Sequence, residues 1–259
     1  MILYVNGDSH SAGAELVKNY AFADDDPIYK HLGHRPHPDC IPHTFGYKLA
    51  QTLNAGFYLD AESGSSNARI ERTTRQFLAD NRKQDVFVLI GWSTWEREEW
   101  QDRDTYYQVT ASGTDSVPAH LEEDYKAWVI KQVEDQKETR RKARLWHQHI
   151  WDLHCELQEK NIKHLFFNTY THFDEYMIPF KEQLEYNWND CYIDPYEQSL
   201  TYYHWLNRKG YKPVRYGSYH YGRDAHIGWY KHLLPRLTDT TNDVTIKTVR
   251  SVTQPRVIR

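Results

Sequence analysis

Cysteine is scarce: Cys40, Cys155 and Cys191 are the only three in 259 residues, an odd number that reads as free thiols and excludes a disulfide framework. Long apolar runs are missing as well. No window approaches membrane-spanning length, and the chain enters a strand pattern directly, without the basic region and apolar stretch of a signal peptide. The expected compartment is the cytosol. An excess of one charge is also lacking: 32 Lys and Arg face 36 Asp and Glu, the formal net charge is -4, and the signs are interspersed. Nucleic-acid and membrane-surface partners are therefore not expected. Glycine (12) and methionine (2) are sparse, but aromatic rings are not, with 20 Tyr and 9 Trp. Such rings serve as stacking platforms in sugar-binding clefts, and equally fill half-buried surfaces and protein interfaces.

The length suits one sizeable core. A single domain over 1–237 is expected, with insertions at about 101–160 and 170–208, and a tail or peripheral strand over 238–259. Apolar runs predict strands at 2–5, 56–61, 85–91 and 162–168, and periodic segments predict helices at 12–20, 43–53, 68–81, 200–208 and 227–237. A helical pattern also dominates 124–160; unbroken it would span roughly 55 Å, so a break is expected in its charged middle, 134–144. Residues 101–118 are polar and read as a surface loop. Strands alternating with helices imply a three-layer α/β/α sandwich around a mostly parallel sheet, with ligands beyond the C-terminal strand ends. The polar ends of the first three strands then face one crevice.

The first of these ends is Gly7-Asp8-Ser9-His10-Ser11-Ala12-Gly13. A strand closing in Gly-Asp-Ser turns sharply into a helix and leaves a hydroxyl near free amides and a helix dipole, which makes Ser9 the candidate nucleophile. The competing reading is that Asp8 or Ser9 only caps the helix. Elsewhere, His31, His34, His37, Cys40 and His43 recur every three residues, but Pro36, Pro38 and Pro42 forbid a continuous helix. Their spacing alone does not converge them on a tetrahedral metal. Asp8-Ser9-His10 also matches the Asp-x-His opening of metallophosphoesterases, whose later Gly-Asp-x-x-Asp-Arg and Gly-Asn-His segments are absent.

Four short blocks together resemble the SGNH (GDSL-like) hydrolase superfamily: Gly7-Asp8-Ser9 with Gly13; Gly64 within 62–67; the strand end Gly91-Trp92-Ser93-Thr94; and His220 shortly before the final helix. The resemblance implies a flavodoxin-like fold, attack by Ser9 on an acyl carbonyl, His220 as general base, and an oxyanion held by the Ser9 and Gly64 amides. It implies no metal or organic cofactor. Where the family has an asparagine in its third block, this chain has Ser93, so Ser93, Thr94 or Asn67 must supply that donor. The family's aspartate before the histidine is Gly217 here. Another group must then orient the imidazole: a backbone carbonyl, Ser218 or an acid from elsewhere. Asp224 with His226 forms the alternative register, and Asp8 is a further second-tier candidate. The implied function is hydrolysis of a carboxylic ester, such as an acetyl group on a sugar, with a small-molecule or glycan ester as substrate. The alternative is an inactive scaffold that binds glycans or serves assembly. No residue pattern sets an oligomeric state.

Overall fold

The structure, a computed structural model, describes residues 1–17, 35–112 and 117–239. Four apolar segments form its central sheet: β1 (Ile2–Gly7), β2 (Gly56–Leu59), β3 (Val86–Trp92) and, later in the chain, β6 (Lys163–Asn168). They pair in the order β2-β1-β3-β6, all parallel, with Gly7 opposite Gly91 and Trp92 opposite Asn168. Among the described residues, the sheet continues beyond β6 as a parallel bridge between Phe166 and Tyr192. Side chains alternate across the pleat. Leu3, Val5, Leu89 and Phe167 pack on one face, and Tyr4, Val88, Ile90 and Phe166 on the other.

Helices cover both faces. α2 (Phe45–Thr52), α7 (Tyr202–Arg208) and α8 (Arg223–Asp239) bury Phe45, Leu206 and Trp229 against the first, while α3 (Asn67–Asp80) and α5 (Gln136–Glu159) bury Ile70 and Ile150 against the second. The fold is thus the expected three-layer α/β/α arrangement with a parallel sheet. Side-chain caps set the helix starts: Thr44 accepts the Tyr47 amide, and Ser66 the Arg69 amide. Asp135 leaves the helical conformation to accept the Lys137 and Glu138 amides, separating α4 (Glu122–Glu134) from α5 within the charged stretch where a break is expected.

Three elements depart from the sequence pattern. The first helix, α1 (Ser9–Ala12), is one turn and not a run to Tyr20, because Gly13 adopts the left-handed conformation immediately after it. The polar stretch 101–118 is not a plain loop throughout: its first part belongs to an antiparallel hairpin of β4 (Glu98–Asp102) and β5 (Thr105–Val109), which pairs Trp100 with Tyr107. Its strand-forming Thr, Tyr and Val residues are masked in the pattern by a largely solvent-facing surface. The last helix begins at Arg223, so His226 lies inside it. α6 (Phe180–Gln183) is a single turn in the long connection between β6 and α7. The tail expected from 238 on lies outside the described residues beyond Asp239. No helix among the described residues is long and apolar enough to cross a membrane.

Candidate active site

At the end of β1 the chain turns at once. Asp8 is extended and caps α1 by accepting the His10 amide at 3.0 Å. Gly7 permits the turn: it stands at φ 150°, and a Cβ there would meet Ser11 Oγ at 2.4 Å and the Gly91 carbonyl at 2.8 Å. Ser9 opens α1 and is 7% exposed. Neither its hydroxyl nor its amide has a hydrogen-bond partner among the described residues. A one-turn helix carries little of the dipole that a run to Tyr20 would have, so help for a developing anion must come from individual amides.

Asp8 joins three strand ends. One carboxylate oxygen faces the His10 ring, Nδ1 at 3.1 Å, and the other accepts the hydroxyls of Ser93 (3.1 Å) and Thr169 (3.0 Å), with Arg97 at 3.5 Å. Burial alone would raise its pKa. The charge and hydrogen bonds of His10, with Arg97, overcome that and hold the carboxyl far below the usual range. The second and third strand ends are tied in turn: Asn67 Oδ1 accepts the Ser93 amide at 2.8 Å, and Asn67 Nδ2 donates to the Ser93 carbonyl at 3.2 Å. All three polar strand ends therefore meet in one place, at the switch point where β1 is flanked by β2 and β3.

Among the expected oxyanion donors, Ser93 gives its hydroxyl proton to Asp8, and Thr94 gives its own to Glu96 at 2.6 Å. Each hydroxyl has only one proton to give. The Gly64 amide has no acceptor among the described residues; Gly64 sits at φ 78°, and a Cβ there would meet nothing within 4 Å. The backbone conformation, and not crowding, is what calls for glycine at that turn.

His220 is presented by a short loop whose ends are joined by a bridge between Pro213 and Tyr221. Its Nδ1 lies 2.6 Å from Glu15 Oε2, which also accepts the Ser218 hydroxyl at 2.6 Å. Arg215 Nε donates to the other oxygen at 2.9 Å, and Ser218 Oγ accepts the His220 amide at 3.0 Å. Glu15 is the orienting acid that motif reasoning does not find. It stands just past α1 at φ 62°, an uncommon conformation for a residue with a Cβ. Its one signal in the sequence is a lone carboxylate in the otherwise apolar run Ala12-Gly13-Ala14-Glu15-Leu16-Val17. Burial would raise its pKa, but the bonds from Ser218, His220 and Arg215 hold it below the ordinary value. For His220, burial and then the neighbouring His10 charge push the pKa down, against the pull of Glu15. The His10 and His220 rings lie edge to face, with centroids 5.5 Å apart, so the Asp8–His10 and Glu15–His220 pairs are neighbours.

The alternative pair is arranged differently. His226 is buried in α8 with Nδ1 accepting the Phe45 amide at 3.2 Å and Nε2 at 3.0 Å from the Tyr202 hydroxyl, and burial lowers its pKa to about 3. Asp224 is exposed in the first turn of the same helix. In the histidine-rich segment, His31 and His34 lie outside the described residues. Among the described residues, His37, Cys40 and His43 form no group with metal-ligand spacing, nor do Asp8 and His10. A rim of tyrosines borders the His220 loop: Tyr170 packs on Tyr203 at 4.8 Å and on Tyr219 at 6.3 Å, and Tyr219 is 62% exposed.

No family model matches the chain, and no curated protein matches it. Among solved structures it is similar to an acetyl xylan esterase (Est2A) from the rumen bacterium Butyrivibrio proteoclasticus, at a TM-score of 0.43 and 10% identity, over 93% of this chain. The chain spans 64% of that protein's length.

Proposed function

We propose that this protein is a serine esterase of the SGNH type. Ser9 Oγ attacks the acyl carbonyl while its proton passes to His220 Nε2; the alkoxide leaving group then takes that proton, and water releases the acyl group by the same route reversed. The Ser9 and Gly64 amides face the developing oxyanion, and no third donor is assigned. The observation that carries the reading is the 2.6 Å contact between Glu15 and His220 Nδ1. It places the ring proton on Nδ1 and leaves Nε2 with the lone pair a general base needs. A carboxylate in that position also removes one of the two reasons for reading the chain as an inactive scaffold, the missing aspartate before His220. The tyrosine rim beside His220 favours a flat, partly apolar substrate face, and the substrate class we assign is an ester, such as an acetyl group, on a carbohydrate.

The pH dependence tests this directly. His220 must be neutral to accept the proton, and its pKa is displaced below the ordinary value of about 6.5. Activity therefore rises with pH through a single limb centred below about 6.5 and is level above it. The measurement is p-nitrophenol release from p-nitrophenyl acetate between pH 4 and 8, with the Ser9→Ala protein as background. A rate no higher than that background across the range contradicts the assignment.

A further inference from the structure

Away from the Ser9 crevice, at the opposite end of the sheet, two imidazoles and a thiol converge. His154 lies on α5, His164 near the N-terminal end of β6, and Cys191 next to the residue that bridges Phe166. Their ligand atoms all lie within 4.8 Å of one another, and both histidines are buried. His154 Nδ1 and His164 Nε2 are 2.9 Å apart. The far nitrogen of His164, Nδ1, is 2.9 Å from the Ile162 carbonyl, so it carries the proton and Nε2 carries the lone pair. His154 Nδ1 faces that lone pair, and the Cys191 sulfur stands beside both rings. A metal cation between them takes a lone pair from each imidazole, and its charge is balanced by Cys191 once the thiol ionises.

We propose that His154, His164 and Cys191 bind a zinc ion, with water as fourth ligand. Two imidazoles and one thiolate are a donor set zinc accepts, and the Ile162 carbonyl that holds the far N–H of His164 is an outer partner of the kind which fixes a ligand tautomer. Gln158 Nε2, 3.9 Å from Cys191 Sγ, donates to the sulfur as a bound thiolate would need. Tetrahedral bonds of about 2.0–2.1 Å place two nitrogens about 3.3 Å apart, so the rings part by a few tenths of an ångström on binding. The ion pins α5, β6 and the chain at the sheet edge to one another, remote from the catalytic end of the strands. Its role is structural.

The test uses the full chain, stripped with a chelator, dialysed, and titrated with zinc against a chromophoric chelator; cobalt(II) is then substituted for zinc. The expected result is one zinc per chain, a higher melting temperature when loaded, and a sulfur-to-cobalt charge-transfer band. In Cys191→Ser the band disappears and zinc affinity falls by about tenfold or more, while the far-ultraviolet circular dichroism stays native. His164→Gln likewise weakens zinc. Natively folded protein that takes up no zinc overturns the proposal. So does zinc bound with unchanged affinity by both variants, which would place it elsewhere on this histidine-rich chain.

Discussion

Glu15→Gln lowers kcat/KM for ester hydrolysis by roughly 10⁴-fold, the loss seen when the acid behind a catalytic imidazole becomes an amide. Glutamine has nearly the same shape, but its amide can offer an N–H where Glu15 accepts the Nδ1 proton of His220 at 2.6 Å. The favoured ring tautomer then reverses and Nε2 loses its lone pair. The same change moves the pH profile. Glu15 raises the His220 pKa, opposing burial and the His10 charge, so its loss shifts the acid limb further down. The unpaired Arg215 guanidinium adds to that shift. A fall in kcat combined with an acid-shifted limb is a signature that simple loss of folding does not produce. If neither rate nor limb changes, the base is not His220, and the Asp8–His10 pair becomes the alternative.

Asp8→Ala destabilises the protein by about 3–5 kcal/mol, because it removes one member of a buried charge network and leaves the others behind. Ser93, Thr169, His10 and Arg97 all direct donors at this carboxylate, which is 1% exposed. For a chain of this size the loss corresponds to a fall in melting temperature of roughly 10 °C, read by calorimetry at pH 7. Linkage gives the sign of the pH effect. A carboxyl held below its unfolded value stabilises the fold above about pH 4, and that contribution is lost as pH falls toward the folded value. The gap between wild type and Asp8→Ala therefore narrows only below about pH 4. A constant gap from pH 7 to pH 3, or a fall of under about 1 kcal/mol, shows that the strand ends are not joined through this group.

Much of the architecture was legible in the pattern of apolar runs. β3 is an unbroken buried run, and the helical pattern too long for the domain divides into α4 and α5 within its charged middle. The hairpin of β4 and β5 was not, because a ribbon with mixed exposure lacks a clean two-residue alternation. The site was legible in part and for a physical reason. Ser9 follows from local backbone chemistry, which short motifs encode. Glu15 reaches His220 across 205 residues, and the left-handed turn that aims it leaves no spacing rule in the sequence. Ser93 illustrates the converse: its position after a strand marks it as a donor, but only the fold reveals that its proton is given to Asp8. Spacing alone also offers His226, whose ring lies inside α8 bonded to Phe45 and Tyr202.

The central claim is that Ser9 is a nucleophile activated by His220. Incubation of the folded protein with a fluorophosphonate probe, followed by peptide mass spectrometry, tests it most directly. The account predicts a single adduct on Ser9 in the wild-type protein and none on that peptide in natively folded His220→Ala. An unlabelled Ser9 in natively folded wild-type protein, or equal labelling of Ser9 with and without His220, would contradict it.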